Sequence, residues 1–525
     1  MEFLEGQTVG VDLGTTFSTL AQVDENGTPV AIPNEDDEVE TASLILLADS
    51  GHVIVGPNRT RAAMEDPKNV VDCIKRHMGV GDYERTFDGR PITPEFLSAL
   101  ILKKLRQDAE KRLGKVSNAV ITVPYYFNDA RRKATEDAGR IAGLNVIDII
   151  NEPTAATLTY AWLRGELGTG KSFGGKPKRV MVYDLGGGTF DVTVVQYTPT
   201  HFQVLATDGD VHLGGVDWNE RLVEYVAKEF KTRHGVDPRE SPQTWQMLRN
   251  DCDLAKLELS EQNETVIPCR HEGKALSVPV TRGQFDRMTA DLLQRTADTT
   301  ELVLDQAGIT TKDLDALVLV GGSTLTPQVP RMITRLIGLE PYDKINRYTA
   351  VAQGAAIHAA ILEIKYGGEK SELAEKVRRM LRGVKQENVN SHGLGIVAKN
   401  ARTGKTVNHV MIPRNTRLPA QAQQTFKTSR DGQERVTVQV LEGDAPDPVA
   451  CSLLGKCRIT RLPRDLPKGS RVEVTYAFDP SGRIYVTAKS KSTGEEASIK
   501  IERRGGLTDS QVDAYLKLAN EYKVE

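Results

Sequence analysis

Hydrophobic positions divide the chain into two kinds of pattern. From Val9 to about Tyr366, short apolar runs alternate with longer stretches of helical periodicity, which is typical of an α/β fold. The pattern predicts strands at Ala119–Val123, Val146–Ile150, Val180–Tyr183, Phe202–Asp208 and Ala316–Val320. It predicts helices at Pro94–Leu113, Asp129–Ala142, Trp218–His234, Leu248–Glu261 and Arg282–Ala307.

The pattern changes after residue 366. Residues 367–392 are polar and read as a linker, with a solvated helix over Ser371–Leu381. Beyond the linker, apolar and polar residues alternate, which predicts an all-β antiparallel domain with one buried face. Leu507–Tyr522 is amphipathic and predicts one helix. We therefore divide the chain into residues 1–366, the linker 367–392, a β-domain 393–503 and a C-terminal segment 504–525.

Two segments rich in glycine and threonine repeat each other. Val9–Ser18 reads V-G-V-D-L-G-T-T-F-S, and Val180–Val192 reads V-M-V-Y-D-L-G-G-G-T-F-D-V. Glycine lets a turn bring its N–H groups close to a phosphate. The aspartate that ends each first strand repels a phosphate, and therefore favours a hard cation such as Mg²⁺ between them. Two copies indicate a duplicated fold that clamps a phosphate chain between its halves.

A third glycine-rich segment also matches a phosphate-binding pattern. Gly165–Ser172 reads G-E-L-G-T-G-K-S, but that loop requires a strand before it and a helix after it. Here the helical stretch Thr154–Leu163 precedes the segment, while Gly174 and Pro177 follow it and prevent a helix. We interpret the segment as a connector.

Composition adds limits on partners and compartment. The 68 Lys and Arg residues nearly balance the 71 Asp and Glu residues, so we expect neither a nucleic acid nor an anionic membrane as partner. There is no run of 18 apolar residues, and Met1–Gln7 lacks the features of a secretory signal. The five scattered cysteines indicate a reducing compartment, most simply the cytoplasm.

Further motifs lie along the whole chain. They are A-V-I-T-V-P-Y-Y-F-N-D at Ala119–Asp129, N-E-P-T-A-A at Asn151–Ala156, G-D-V-H-L-G-G-V-D at Gly209–Asp217, L-V-L-V-G-G-S-T at Leu317–Thr324 and I-P-R-N-T at Ile412–Thr416. Together with the two repeated segments, they resemble the seventy-kilodalton heat-shock protein family, the DnaK-type chaperones. The resemblance implies a duplicated actin-like (ribonuclease H-like) α/β ATPase domain, followed by an all-β peptide-binding sandwich. It also implies slow Mg²⁺-dependent ATP hydrolysis.

The resemblance implies roles for individual residues at an ATP site. Lys75 would lie at the γ-phosphate, where an ammonium neutralises charge during phosphoryl transfer. Glu152 would orient the attacking water, and potassium is a further candidate ion. The residues assigned to catalysis are Asp12, Lys75, Glu152, Asp184, Thr189 and Asp191, of which the three aspartates would hold Mg²⁺ through waters or lie just behind it.

Contacts to ATP or ADP follow from the same resemblance. Leu325 falls where the family usually has an arginine on the adenine, and Leu257 likewise offers an aliphatic wall, so we expect apolar contact there without a cation–π contribution. The residues assigned to the nucleotide are Gly14, Thr15, Thr16, Phe17, Gly186, Gly187, Gly188, Thr189, Gly214, Gly215, Asp253, Lys256, Ser260, Gly321, Gly322, Ser323 and Leu325.

In the β-domain the resemblance implies a cleft for an extended apolar peptide or an unfolded protein. An ordinary β core would use some of the same positions. Arg483 replaces an aliphatic residue of the family, which predicts a preference for acidic segments. One helix follows the domain, so we expect no helical lid and fast peptide exchange. A J-domain co-chaperone and a nucleotide-exchange factor are further expected partners. The residues assigned to the cleft are Leu394, Ile396, Phe426, Ser429, Val436, Val438 and Arg483.

The linker departs from the family, in which a short, strongly apolar linker docks on the ATPase domain. In the matching stretch, Lys385–Asn390, only Val389 is apolar, and burial of unpaired Lys385 and Glu387 would be costly. We therefore expect weak docking and weak coupling between the domains. The longer segment that includes Val377 and Leu381 is an alternative docking surface.

Two other functions remain open at this point. One is a small-molecule kinase of the same superfamily, which would use Glu152 or Asp191 as a base. The β-domain argues against it. The other is a non-catalytic, nucleotide-regulated binding or filament protein, against which the full set of catalytic candidates argues.

Overall fold

The structure is a computed structural model that describes residues 2–48, 51–56, 66–81, 83–168, 173–367, 373–400, 402–460, 462, 464–478, 484–501 and 507–525. Two α/β lobes come first along the chain, an antiparallel β-sheet domain follows, and a helical segment comes last. This mixed content agrees with the predicted fold class. Within the described ranges, no helix is long and apolar enough to cross a membrane.

The first lobe covers residues 7–163. Its elements are β1 Gln7–Asp12, β2 Phe17–Val23, β3 Pro29–Ala31, β4 Thr41–Ala42, β5 Ile45–Leu47, β6 His52–Val55, β7 Val70–Val71, β8 Arg85–Phe87, β9 Arg90–Ile92, α1 Pro94–Leu113, β10 Val116–Val123, α2 Asp129–Ile141, β11 Asn145–Asn151 and α3 Glu152–Leu163. The main sheet has the order β11-β10-β1-β2-β3, with β4 also paired to β2. In this sheet, β1 runs antiparallel to β2 and parallel to β10.

The second lobe covers residues 178–366, and its last helix packs on β1, β2 and α3 of the first lobe. Its elements are β12 Lys178–Leu185, β13 Phe190–Thr198, β14 His201–Asp210, α4 Gly215–His234, α5 Pro242–Glu261, β15 Glu264–His271, β16 Lys274–Thr281, α6 Arg282–Met288, α7 Ala290–Ala307, β17 Ala316–Val320, α8 Gln328–Ile337 and α9 Ala350–Tyr366. Here β12 runs antiparallel to β13 and parallel to β17. This arrangement repeats that of β1, β2 and β10, and so the two glycine-rich turns occupy corresponding places in the two lobes.

Local signals account for most element boundaries. Helix α1 has the predicted bounds because the Thr93 side chain accepts a hydrogen bond from the Phe96 N–H at its start, and Gly114 follows its end with φ 75°. The single helix predicted for 282–307 is wrong. It breaks at Thr289, whose hydroxyl donates to the Phe285 carbonyl at 2.9 Å. The connector 165–172 lies partly outside the described residues.

The β-sheet domain consists of eight described strands, β19 to β26, in two sheets. The strands are β19 Leu394–Lys399, β20 Thr406–Ile412, β21 Ala420–Lys427, β22 Arg435–Glu442, β23 Ser452–Thr460, β24 Arg471–Phe478, β25 Ile484–Ser490 and β26 Glu496–Ile501. The sheet orders are β20-β19-β22-β23 and β21-β24-β25-β26. Buried residues of both sheets form one shared core, as expected for two packed antiparallel sheets.

Most of the residues predicted for a peptide cleft belong to this shared core. Leu394, Ile396 and Val438 are buried between the sheets, where alternate side chains of β19 and β22 point inward. Phe426 and Val436 are partly buried and pack against the same core. The remaining two positions differ, because Ser429 is exposed and Arg483 lies outside the described residues.

The linker is docked on the second lobe. Helix α10, Glu375–Leu381, is followed by strand β18, Lys385–Glu387, which pairs in parallel with β14 as the fifth strand of the sheet. Val377 and Leu381 are buried against α9, so the alternative docking surface is occupied and the helix is not simply solvated. The predicted start of that helix at Ser371 lies outside the described residues.

The predicted reason for weak docking of the linker is wrong. Strand pairing uses backbone groups, so the Lys385 side chain stays exposed while its N–H donates to the Thr200 carbonyl at 2.8 Å. The Glu387 carboxylate pairs with Arg417 and lies 3.3 Å from the His201 imidazole. The charges that argued against docking are therefore solvated or paired.

The C-terminal segment packs on the first lobe. Helix α11, Asp509–Glu521, contacts α1 and α2, and strand β27, Lys523–Val524, pairs in parallel with β6. The Tyr515 ring lies 5.4 Å from the Phe96 ring, and the Lys103 ammonium donates to the Ala519 carbonyl at 2.5 Å. The apolar face of α11 is thus covered by the first lobe.

Candidate functional site

The two repeated turns face each other between the lobes. A Cβ atom placed on Gly187 would lie 2.3 Å from the Thr16 Oγ1 atom, and one on Gly188 would lie 2.4 Å from the Thr15 Cγ2 atom. Only glycine allows so close an approach. The structure therefore brings the threonines of the first turn against the glycine backbone of the second, as expected for two halves that clamp one phosphate chain.

A buried ion pair lies beside these turns. Lys75 sits on the 3₁₀ turn Ile74–His77, and its ammonium donates to the Glu152 Oε1 atom at 2.6 Å. Glu152 begins helix α3 directly after strand β11. Both side chains are almost completely buried, so each charge depends on the other or on a ligand for compensation.

Three aspartates lie close to this ion pair and to the two turns. Asp12 ends β1 and accepts a hydrogen bond from the Thr122 hydroxyl at 2.9 Å. Asp184 lies near the end of β12 and pairs across the strands with Asp191. Asp191 is buried and accepts from the backbone N–H groups of Tyr125 and the following residue at 3.2 and 3.3 Å. It is thus held beside Asp184 on the neighbouring strand.

The charges at this site do not balance without a ligand. Burial alone lowers the pKa of Lys75, but the carboxylates of Glu152 and Asp12 outweigh burial, and the pKa is raised. Burial raises the pKa of Asp12 and, together with neighbouring carboxylates, holds the pKa values of Asp184 and Asp191 well above their usual range. Four carboxyl groups share one ammonium. A hard divalent cation would reduce the repulsion among these carboxylates.

No group of three or more His, Cys, Asp and Glu side chains converges for direct metal ligation among the described residues. Magnesium usually keeps several waters and takes one or two protein carboxylates. Asp12 and Asp184 offer those carboxylates, one from each lobe.

The turns and the ion pair line one cavity of about 280 Å³. Its wall contains predicted residues from both lobes: Asp12, Gly14, Thr15, Thr16, Phe17, Lys75, Glu152, Asp184, Gly186, Gly187, Thr189, Gly215, Asp253, Lys256, Gly321, Gly322 and Ser323. Leu257, expected as an aliphatic wall, lines it as well. Residues without a predicted role also line it: Thr19, Glu40, Val216, Asn219, Glu220, Arg249, Arg347, Tyr348 and Val351.

Five predicted residues lie outside the cavity wall. Asp191 is behind it, and Gly188 and Gly214 touch each other's backbones, since a Cβ on Gly214 would lie 2.6 Å from the Gly188 nitrogen. The Ser260 hydroxyl donates to the Lys256 carbonyl at 3.0 Å, one turn earlier on α5. Leu325 is 42% exposed on the turn Gly322–Leu325.

Two arginines that the sequence analysis missed join the lobes. The Arg76 guanidinium donates to the Gly188 carbonyl at 2.9 Å and to the Asp217 carboxylate at 2.5 Å. Arg249 of the second lobe lies 2.9 Å from the Asp72 carboxylate of the first. Arg76 follows Lys75 directly, so its neighbourhood could have been inferred. The Arg249 contact joins segments far apart in sequence and gave no signal.

The docked linker reaches the site through one side chain. The Tyr125 hydroxyl donates to the Val389 carbonyl at 2.8 Å and accepts from the Val389 N–H at 2.9 Å. The backbone N–H of Tyr125 donates to Asp191. Val389 is buried with Tyr125 and two valines of β13 and β14. One residue therefore contacts both the linker and an aspartate of the cavity floor.

The chain matches known proteins over nearly its whole length. A family model described as Hsp70 protein matches residues 8–87 and 80–525. A chaperone protein DnaK of Thermotoga petrophila is 38% identical over 524 residues, which cover 98% of this chain and 83% of the relative. A chaperone protein DnaK of Thermosipho melanesiensis is 37% identical over 523 residues, with the same two coverages.

Proposed function

Because the chain belongs to the Hsp70 family, it is an ATP-dependent molecular chaperone and an ATPase, and we propose that its hydrolysis depends on Lys75, Glu152 and Thr189. Proteins of this family bind ATP or ADP with Mg²⁺. The observation that carries the residue assignment is the buried Lys75–Glu152 pair, which lines a cavity between two facing glycine-threonine turns.

We further propose that the two lobes form the duplicated actin-like (ribonuclease H-like) domain, residues 1–366. The repeated strand arrangement around β1 and β12 supports this assignment. Residues 367–392 would be the linker, 393–503 the peptide-binding sandwich and 504–525 the C-terminal segment. The chemistry of the cavity fits Mg²⁺ held through waters by Asp12 and Asp184, and K⁺ is a further candidate there.

The proposed chemistry is attack of a water on the terminal phosphate of ATP. Bound Mg²⁺ would neutralise phosphate charge. Glu152, fixed by its bond to Lys75, would orient the water, and burial raises the pKa of this glutamate to about 7. The Lys75 ammonium would stabilise the charge that develops on the phosphoryl oxygens. The Thr189 hydroxyl would donate to the same group from the opposite turn.

Thr189→Ala is expected to slow single-turnover ATP hydrolysis about tenfold, because one hydrogen bond to a charged group contributes on the order of 1.5 kcal/mol. Thr189→Ser keeps the hydroxyl and is the matched control, with a rate near that of the natural chain. The measurement follows phosphate release from ATP labelled at the γ position. Equal rates for Thr189→Ala and Thr189→Ser would remove Thr189 from the mechanism.

We propose that unfolded or extended peptides bind the β-sheet domain. Chaperones of the DnaK type bind unfolded peptides and co-chaperones in general. Of the predicted apolar cleft residues, Phe426 and Val436 are only partly buried and so are best placed to reach a ligand, beside the exposed Ser429. A J-domain co-chaperone, a nucleotide-exchange factor and a cytoplasmic location remain further proposals of the same kind.

The Tyr125 hydroxyl, which comes from the first lobe, is expected to hold the linker in its docked position. Tyr125→Phe removes both hydrogen bonds to Val389 and leaves a buried N–H group unpaired, but it keeps the aromatic ring. We expect amide-exchange protection at Val389 to fall about tenfold, since a typical hydrogen bond contributes about 1 kcal/mol and an unpaired buried group adds to the loss.

The control for this experiment is Tyr225→Phe, on helix α4 and away from the linker. It should leave protection at Val389 unchanged. If Tyr125→Phe also leaves it unchanged, the linker is held by its other contacts, chiefly the pairing of β18 with β14 and the burial of Val377 and Leu381.

A further inference from the structure

One aromatic ring that lines the cavity takes no part in the proposed hydrolysis of ATP. Tyr348 lines the cavity and is 38% exposed. A Cβ atom on Gly322 would lie 3.0 Å from the Tyr348 Cε1 atom, so the ring lies against the Gly322 backbone. Glu40 of the first lobe lines the same cavity, and burial together with the charge of Glu40 raises the pKa of Tyr348, whereas Arg347 lowers it.

The segment that carries this ring is fixed on both sides. The Asn346 side chain accepts hydrogen bonds from the Tyr348 N–H at 2.9 Å and from the next N–H at 3.4 Å. The Arg347 carbonyl accepts from the Gly321 N–H at 3.0 Å, and its guanidinium donates to the Thr324 carbonyl at 2.9 Å. The backbone that carries Tyr348 is therefore preorganised, so a ligand that stacks on the ring would not have to order this segment.

The position of the ring suits the nucleoside part of a nucleotide. The proposed nucleotide site assigns the glycine-threonine turns to the phosphates, and it assigns Lys256, Leu257 and Gly322, which line the same cavity as Tyr348, to the nucleoside. Leu325, expected as an adenine contact, does not line the cavity. The cavity thus lacks the expected contact from Leu325, and the aromatic ring of Tyr348 lines it instead.

We propose that Tyr348 is a specificity-determining residue of the ATPase, and that its ring provides a stacking surface for the adenosine of ATP and ADP. This inference rests on the proposed nucleotide site. An aromatic face attracts the π-face of a base, so the contact would favour nucleotides over free polyphosphate. It would also supply the contact that the family obtains from an arginine.

The test compares ATP with tripolyphosphate, which has the phosphate chain but no adenosine. Both are measured by competition against a fluorescent ADP. Tyr348→Ala should weaken ATP about ten- to a hundredfold, the size of one base–aromatic stacking contact. It should leave the affinity for tripolyphosphate unchanged. Tyr348→Phe keeps the ring and should bind ATP as the natural chain does.

Tyr366→Ala is the matched control, because Tyr366 is a comparably exposed tyrosine at the other end of helix α9. Unchanged ATP affinity in Tyr348→Ala would overturn the proposal. Equal loss of ATP and tripolyphosphate would overturn it as well, because Tyr348 would then only support the fold of the site. If the natural chain bound no adenine nucleotide, the proposed nucleotide site itself would fail, which is a different result.

Discussion

Lys75→Ala is expected to slow single-turnover ATP hydrolysis on the order of a hundredfold, with much less effect on nucleotide affinity. The ammonium is buried, and its bond to Glu152 holds it in place before the nucleotide arrives. Loss of one preorganised donor typically costs about 3 kcal/mol of transition-state stabilisation, which corresponds to roughly a hundredfold in rate. Glu152 would also lose the contact that orients it.

The measurement separates chemistry from binding. Protein and ATP are first mixed without Mg²⁺, and hydrolysis is then started by adding Mg²⁺. Phosphate release is followed over one turnover. ADP affinity is measured separately by calorimetry. Lys228→Ala, a change at an exposed lysine on helix α4, serves as the control. A hydrolysis rate in Lys75→Ala within threefold of that of the natural chain would show that another group supplies the charge.

Sequence reasoning predicted most residues that line this cavity because their signals are local. Asp12 is the last residue of β1 and Asp184 the last but one of β12, and a glycine follows two residues after each, so the same few residues carry both the chemistry and the backbone geometry. The bounds of helix α1 were equally predictable, because a threonine directly before the helix and a glycine directly after it set its first and last residues.

Contacts between distant segments were harder to foresee. The linker looked unsuited to docking because its side chains are polar, yet a strand pairs through backbone groups that every residue has. The Arg249–Asp72 bridge depends on how two lobes meet, and no local pattern reports it. Leu325 was assigned from resemblance, but its place on a 3₁₀ turn points it away from the cavity wall.

The contact between the β-sheet domain and the first lobe contains a second residue whose replacement is expected to have a large effect, in this case on the docking of the two domains. Glu442 ends β22 and accepts a hydrogen bond from the Asp129 N–H, at the start of α2. Its Oε2 atom is shut off from solvent and has no hydrogen-bond partner among the described residues. Burial, followed by the charge of Asp129, raises the pKa of Glu442 to about 8. Arg132 opposes this shift, and Asp444 adds to it.

This shift links docking to the uptake of a proton. When the domains separate, Glu442 returns to its ordinary pKa of 4.5. The docked state has the raised pKa, so its stabilisation is complete below about pH 4.5 and is lost as the pH rises towards 8. At pH 7 the carboxyl group has to bind a proton in order to dock, which costs about 3 kcal/mol at 1.4 kcal/mol per pH unit.

His392 at the same contact acts in the opposite direction. Its ring lies 4.4 Å from the Tyr126 ring, and its Nε2 atom is 3.1 Å from the Tyr126 carbonyl. Burial lowers the pKa of His392, with Arg132 acting in the same sense and Asp444 and Asp208 opposing it. Docking therefore weakens when the pH falls below the ordinary imidazole value of 6.5 and His392 takes up a proton in the separated state.

Glu442→Gln is expected to strengthen docking at pH 7 to 8 by on the order of 3 kcal/mol, because a neutral amide needs no proton to enter the contact. Docking is measured as the amide-exchange protection factor at Val389, corrected at each pH for intrinsic exchange. In the natural chain, protection should fall from pH 6.5 to about 8 and then level off, whereas in Glu442→Gln it should stay level throughout.

Glu434→Gln is the matched control, since Glu434 is an exposed glutamate just before the other end of the same strand. It should reproduce the pH profile of the natural chain. Loss of protection on the acidic side should persist in Glu442→Gln, because His392 is unchanged there. If Glu442→Gln and the natural chain show the same decline at high pH, the proton taken up on docking does not reside on Glu442, and Asp129 becomes the carboxyl group to replace next.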